Sequence, residues 1–161
     1  MTVDRSHIRV KAMLIAPNDE ETAHAVGLNP PTAENPKGFH RLIGGSVELG
    51  ETHREAVVRE VDEELGATIR ELTFLTTVEN IFRINGAVGH EIVFVYRVRL
   101  DPLPGTVGAT LRGDDGSEQP LVWRPIHDER EPLPLYPDAV LPWVRGLADR
   151  GHRGDKPTGQ P

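Results

Sequence analysis

The chain has 161 residues, the length of one ordinary domain, and no cysteine, so disulfides, thiolate metal sites and cysteine nucleophiles are all excluded. Eighteen Lys and Arg stand against 25 Asp and Glu, a formal charge of 18 − 25 = −7 that opposes a long nucleic acid or an anionic membrane as partner. The only apolar run near the start, Ala12 to Ala16, is too short for a signal core or a membrane span, which predicts a cytoplasmic chain.

Taken in chain order, Ile8, Val10, Ala12, Leu14 and Ala16 alternate along residues 7–16, the period of a strand with one buried face, and Pro17-Asn18-Asp19 ends it. Residues 24–28 are readable as a short strand before a mobile surface loop that runs from Asn29-Pro30-Pro31 to Lys37. Phe39 to Ile43 resumes an extended pattern and feeds the Gly44-Gly45 turn. Thr52-His53-Arg54-Glu55 fits a capping box, and Val57, Val61 and Leu65 recur every fourth residue up to Gly66, which predicts a helix over 53–65 with a glycine C-cap. Thr68 to Ile84 and Glu91 to Leu100 read as an antiparallel hairpin separated by Asn85-Gly86 and Gly89. Residues 101–119 read as a loop rich in glycine, proline and acid, followed by a strand at Leu121 to Ile126 and a closing helix over Pro137 to Leu147, which Pro142 weakens. Residues 1–149 are expected to form a single domain and the polar residues 150–161 a disordered tail.

The chemistry concentrates between Gly45 and Ala67. Seven carboxylates (Glu48, Glu51, Glu55, Glu60, Asp62, Glu63, Glu64) face Arg54 and Arg59 there, a net of 2 − 7 = −5. On a helix, Glu60 lies one turn from Glu63 and Glu64, so the three project from one edge, beside the apolar stripe, toward one point. Two carboxylates about 6 Å apart at an effective dielectric of about 20 repel by roughly 3 kcal/mol, and a divalent cation reverses that sign. Oxygen ligands suit Mg²⁺, with Mn²⁺ as substitute, whereas zinc favours His or Cys, and no two of the seven histidines fall within one helical turn of each other. Such a metal can neutralise a leaving phosphate and activate water, which points to phosphoanhydride hydrolysis. An acidic run alone is more often a solvated face, with Arg59 paired to Glu55 or Glu63.

The surrounding pattern decides between these. Gly45, five residues, Glu51, seven residues, then Arg59-Glu60-Val61-Asp62-Glu63-Glu64-Leu65-Gly66-Ala67 resembles the Nudix box, with a small Ala67 in the last hydrophobic slot. The resemblance implies an α/β fold, the Nudix α/β/α sandwich with a central mixed β-sheet. It implies metal ligation by Glu60, Glu63 and Glu64, with the Gly44 carbonyl and Glu118 from outside the box as further ligands. Glu79 and Glu91 compete with Glu118 for that place. Arg59 and Glu51 become supports. Glu60 and Glu63 are the catalytic candidates, with Glu60 the expected general base and Glu118 the alternative. Arg41, Phe82 and Trp123 are the residues expected to clamp or stack substrate, although each taken singly is more often core or surface.

The implied activity is Mg²⁺-dependent hydrolysis of a pyrophosphate bond in a nucleoside diphosphate linked to another moiety. The implied partner is a small molecule, and homodimers are frequent in the family. ADP-ribose-hydrolysing relatives often carry a proline after the box, and none occurs here from Lys37 to Asp101. Glu79 to Phe82 with Gly89-His90-Glu91 looks like a segment of some bacterial Nudix proteins. The alternative is a catalytically silent sensor of a nucleotide metabolite on the same fold, against which the intact Glu60, Glu63 and Glu64 argue. An isopentenyl diphosphate isomerase would need a cysteine, and RNA decapping a basic stripe.

Overall fold

The computed structural model describes residues 6–113 and 115–150. Nine strands and two helices follow in the order β1 (Arg9–Ile15), β2 (Ala23–Asn29), β3 (Phe39–Arg41), β4 (Ile43–Ser46), α1 (His53–Leu65), β5 (Thr68–Ile84), β6 (Ala87–Asp101), β7 (Thr110–Arg112), β8 (Glu118–Pro125), β9 (Leu135–Tyr136) and α2 (Leu141–Arg150). The strand layer is split into two mixed sheets, ordered β4-β1-β6-β5 and β7-β8-β2-β3-β9, rather than forming one. β1 runs parallel to β6, and β3 parallel to β9.

β1 is buried on both faces from Ala12 onward, not on one. Ala12 and Leu14 join the core that receives Ala56, Val57 and Val61 of α1, while Met13 and Ile15 join the core that receives Val144 and Leu147 of α2. A central strand with a helix on each side has no solvent face, so its sequence reads as a continuous apolar run. Ile8, which the alternation assigned inward, is 52 % exposed because it precedes this sandwiched stretch.

Helix α1 begins and ends where its capping residues require. The Thr52 hydroxyl accepts from the Glu55 amide at 3.1 Å and the Glu55 carboxylate accepts from the Thr52 amide at 2.9 Å. Gly66 closes the helix with φ +59°. Its first residue is tied to the sheet, His53 stacking on Phe94 at 4.0 Å between ring centroids and sharing a hydrogen bond with the Tyr96 hydroxyl. Removing the N-cap in Thr52→Ala should cost about 1 kcal/mol and lower the melting temperature by roughly 2–4 °C, as read by thermal unfolding.

The hairpin turns on Asn85-Gly86 alone, both with positive φ, as a two-residue turn of this type demands. Gly89 therefore lies inside β6 rather than separating the strands. It faces Phe82 across the ladder, and a Cβ there would stand 2.3 Å from the Phe82 ring. The loop at 30–37, expected to be mobile, is fastened to this turn: Glu34 accepts from the Asn85 and Gly86 amides at 2.8 Å each, and Asn85 Oδ1 accepts from the Ala33 amide at 2.9 Å. Residues 101–119 hold the short strand β7, and β8 starts at Glu118. The closing element is a single 3₁₀ turn, Asp138–Val140, followed by α2. Pro142 falls in the first turn of α2, where its missing N–H breaks no helical hydrogen bond, so it starts the helix instead of interrupting it. Beyond Arg150, the tail expected to be disordered lies outside the described residues.

His24 is fully buried on β2, and burial, reinforced by Arg124 and His40, pushes its pKa down to about 3. It is neutral in the fold, whereas an unfolded histidine takes up a proton near pH 6.5. The unfolded state then binds more protons between about pH 6.5 and 3, so the stability present above that window is lost as pH falls through it. Melting temperatures recorded across this range should fall with acidification, and the slope should flatten in His24→Phe.

Candidate active site

Arg59 is the centre of the acidic region. Its Nε donates to Glu51 Oε2 at 2.8 Å and its Nη2 to Glu51 Oε1 at 3.0 Å, a two-point fork that lysine cannot make. Nη2 also donates to the Ser46 carbonyl at 3.0 Å, and Nη1 stands 3.0 Å from both Glu60 Oε1 and Glu63 Oε2. Hydrogen bonding from Arg59 holds the Glu51 carboxyl below the usual carboxylate range, and Glu51 in return raises the Arg59 guanidinium. Arg59 and Glu51, the two residues expected as supports, are thus bonded to each other, with Arg59 reaching on to Glu60 and Glu63.

Glu60 departs from the expectation. It does not lie beside the apolar stripe but within the buried face of α1, 3 % exposed alongside Ala56, Val57 and Val61. The bare backbone of Gly45 makes room for it: a Cβ on Gly45 would stand 2.1 Å from Glu60 Oε1 and 2.6 Å from Oε2. Gly44, next to it on β4, has φ +145°, and a Cβ there would lie 2.2 Å from the Ala12 carbonyl oxygen.

Glu63 is half-exposed, with 49 % of its side chain accessible, and shares with Glu64 and Glu118 an open groove of about 270 Å³ whose other walls include Thr110 and Arg112. The structure thus brings Glu118, rather than Glu79 or Glu91, to the box. Glu79 is exposed and bonded to His90 at 3.1 Å. The three box carboxylates do not meet at one point, and among the described residues no three acidic or histidine side chains are gathered closely enough to hold an ion. A guanidinium bridges Glu60 and Glu63 instead. The donor set nevertheless fits a hard divalent cation, because Glu60, Glu63, Glu64 and Glu118 all offer carboxylate oxygen and the Glu60–Glu63 pair already accepts a positive charge from Arg59.

A second concavity of about 230 Å³ is lined by Phe39, Arg41, Asn80, Phe82, Tyr136 and Asp138, among others. Phe39 and Tyr136 meet edge-to-face at 5.4 Å. Two of the three expected substrate residues, Arg41 and Phe82, are therefore neighbours here. Trp123 does not line this cavity: it packs against the α1-side core and its indole Nε1 donates to the Gly105 carbonyl at 3.2 Å, a hydrophobic body with its polar edge satisfied.

Sequence reasoning missed what lies between the two concavities. Glu91 is 0 % exposed and accepts from Arg9 Nη2 at 2.8 Å, from Arg41 Nη2 at 3.0 and 3.2 Å, and from Asn80 Nδ2 at 3.3 Å. Lys11, two residues along β1 from Arg9, donates to the Ser46 hydroxyl at 2.9 Å, and the Ser46 carbonyl accepts from Arg59. Burial first and the Arg41 charge second push the Lys11 ammonium down to about 8, against the opposing pull of Glu91. The available signal was the placement of Arg9 and Lys11 on the same strand phase as the buried Met13 and Ile15. Two cations leading into a core face need an anion, and Glu91 is β1's direct partner at Arg9 in the parallel register.

A family model described as the NUDIX domain matches residues 10–144. The chain belongs to the Nudix family. Solved structures agree on the fold. A MutT Nudix hydrolase from Burkholderia pseudomallei is 26 % identical, the match covering 80 % of this chain and 91 % of that one with a TM-score of 0.57. The ORF135 protein of E. coli is 24 % identical over 92 % of this chain and 95 % of its own, with a TM-score of 0.55. The MutT protein of Bacillus halodurans is 19 % identical over 87 % and 82 %, with a TM-score of 0.58. The two mixed sheets between α1 and α2 are the Nudix α/β fold, and the box at Gly45 to Ala67 lies inside the matched span. Nudix hydrolases generally use divalent metal cations and hydrolyse pyrophosphate bonds.

Proposed function

We propose that this Nudix protein hydrolyses, with Mg²⁺ or Mn²⁺, the pyrophosphate bond of a nucleoside diphosphate linked to another moiety. The observation that carries the reading is the arrangement around Arg59, where one guanidinium holds Glu51, Glu60 and Glu63 along a single edge beside the groove of Glu64 and Glu118. Glu60, Glu63 and Glu64 would hold the ion, with Glu118 and the Gly44 carbonyl completing the oxygen set. Bound there, the ion supplies charge neutralisation for the diphosphate and a more acidic water.

The protein's own groups do the rest. Glu60, buried and fixed by Arg59, is the general base of this reading, with Glu118 as the alternative, since a base must reach the attacking water. Arg59 and Glu51 orient the carboxylates without touching substrate. Arg41 and Phe82 receive the nucleotide in the cavity, the guanidinium toward phosphate and the ring toward a planar group. A negative chain suits a small anionic substrate delivered with a cation better than a long nucleic acid. Among the described residues no helix is long and apolar enough to cross a membrane.

The test is a screen of NDP-sugars, ADP-ribose, dinucleoside polyphosphates and oxidised nucleoside triphosphates, each with Mg²⁺ and with Mn²⁺. Release of phosphorylated product from at least one class is the expected result. Binding without product release from any of them would overturn the hydrolase in favour of a sensor.

A further inference from the structure

We propose that Glu91 is a positioning residue: it anchors Arg41 through Nη2 so that the remaining guanidinium donors face a phosphate group in the neighbouring cavity. This rests on the reading of that cavity as the substrate's. Both hydrogen bonds that Arg41 makes to Glu91 leave from one nitrogen, Nη2. Among the described residues Nη1 and Nε have no hydrogen-bond partner, at a side chain that lines the cavity. An arginine held at Nη2 has its guanidinium plane fixed, so that Nε and Nη1, on opposite edges of that plane, each offer a single donor to a phosphate oxygen in the cavity.

Charge supports the same assignment. Arg9, Arg41 and Lys11 stand against Glu91, an excess of 3 − 1 = +2, and counting Glu60, which reaches Lys11 only through its field, still leaves 3 − 2 = +1. This excess sits in a chain whose formal charge is −7. A purely structural role explains the site poorly. A fully buried carboxylate between guanidiniums adds little net stability over an apolar pair of similar volume, so stability alone gives weak reason for the arrangement. The network also joins the cavity to the acidic edge, because Lys11 and Arg59 bind the hydroxyl and the carbonyl of the same residue, Ser46.

The experiment is a double-mutant cycle on the full chain, read by calorimetric binding of inorganic pyrophosphate in EDTA, so that neither metal nor turnover enters. Glu91→Asp keeps the charge but withdraws the carboxylate by one methylene, and Arg41→Lys keeps the charge but removes the planar set of donors. Each should weaken binding about tenfold, the order of one charge-assisted hydrogen bond, and the double variant should be no weaker than either single one. Wild-type affinity in Glu91→Asp, or losses that multiply in the double variant, would overturn the proposal, as would a wild-type protein that does not bind pyrophosphate. If Glu91→Asp fails to fold, Glu91→Gln, which preserves the side-chain volume, takes its place in the same cycle. Hydrolysis is scored separately on the nucleotide panel. A silent panel with an intact cycle removes the hydrolase reading alone, and an active panel with a broken cycle removes only the role of Glu91.

Discussion

Glu63→Gln and Glu64→Gln should each reduce Mg²⁺-dependent turnover by about a hundredfold or more, with no loss of folded protein. The carboxamide keeps the volume and one acceptor oxygen, so Glu63→Gln can still accept from Arg59 Nη1, the contact that now spans 3.0 Å on a half-exposed part of the helix. What disappears is one negative charge on an edge that carries several. In EDTA that removal relieves like-charge repulsion, and a partly exposed pair with Arg59 is worth at most about 1 kcal/mol, so the melting temperature should stay within roughly 3 °C of wild type or rise slightly. Adding Mg²⁺ should then stabilise the wild type more than either variant, because an ion that binds only the folded state raises its stability by mass action. Activity retained by both variants would remove the metal-dependent mechanism, whatever their melts.

Much of this site was legible because its requirements are local. A helix start needs its exposed amides satisfied, and Thr52 and Glu55 satisfy them. A helix end needs a left-handed residue, and Gly66 supplies it. The two-residue turn at Asn85-Gly86 follows the same logic, as does the position of Arg59 one helical turn from Glu63. The parts that escaped depend on which strands become neighbours. Nothing in residues 7–16 alone says that β1 will be covered on both faces, since that follows from its place between β4 and β6 and between two helices. Glu91 is buried because β6 lies parallel to β1 and brings it opposite Arg9, a pairing across 82 residues. Trp123 carries no local mark that separates a stacking platform from a core side chain, and the strand it occupies turned it into the core. Glu60 falls inside the buried face because Ala56, one turn earlier, is buried with it and because Gly45 has no side chain to fill the space its carboxylate takes.

The two adjacent glycines of β4 should therefore fail in different ways when each is given a methyl group. In Gly44→Ala the new Cβ meets the backbone of β1, 2.2 Å from the Ala12 carbonyl oxygen and 2.7 Å from the Met13 Cα, at a φ of +145° that L residues rarely adopt. Backbone in the middle of a sandwiched sheet cannot step aside, so β4 must partly detach from β1. Strain and overpacking of this kind cost about 3 kcal/mol, a fall of roughly 6–12 °C in melting temperature, and activity should be lost along with the fold. In Gly45→Ala the obstacle is instead the Glu60 carboxylate, at 2.1–2.6 Å. That carboxylate is the far end of a side chain, so it can swing away from Arg59 Nη1 while β4 keeps its pairing. The expected outcome is a protein that melts close to wild type yet turns over at least tenfold more slowly, because the residue assigned as general base has left its place. Thermal unfolding and Mg²⁺-dependent hydrolysis measured on both variants check the contrast. Equal melting temperatures for the two, or full activity in Gly45→Ala, would mean that Glu60 has no need of the room that Gly45 leaves it.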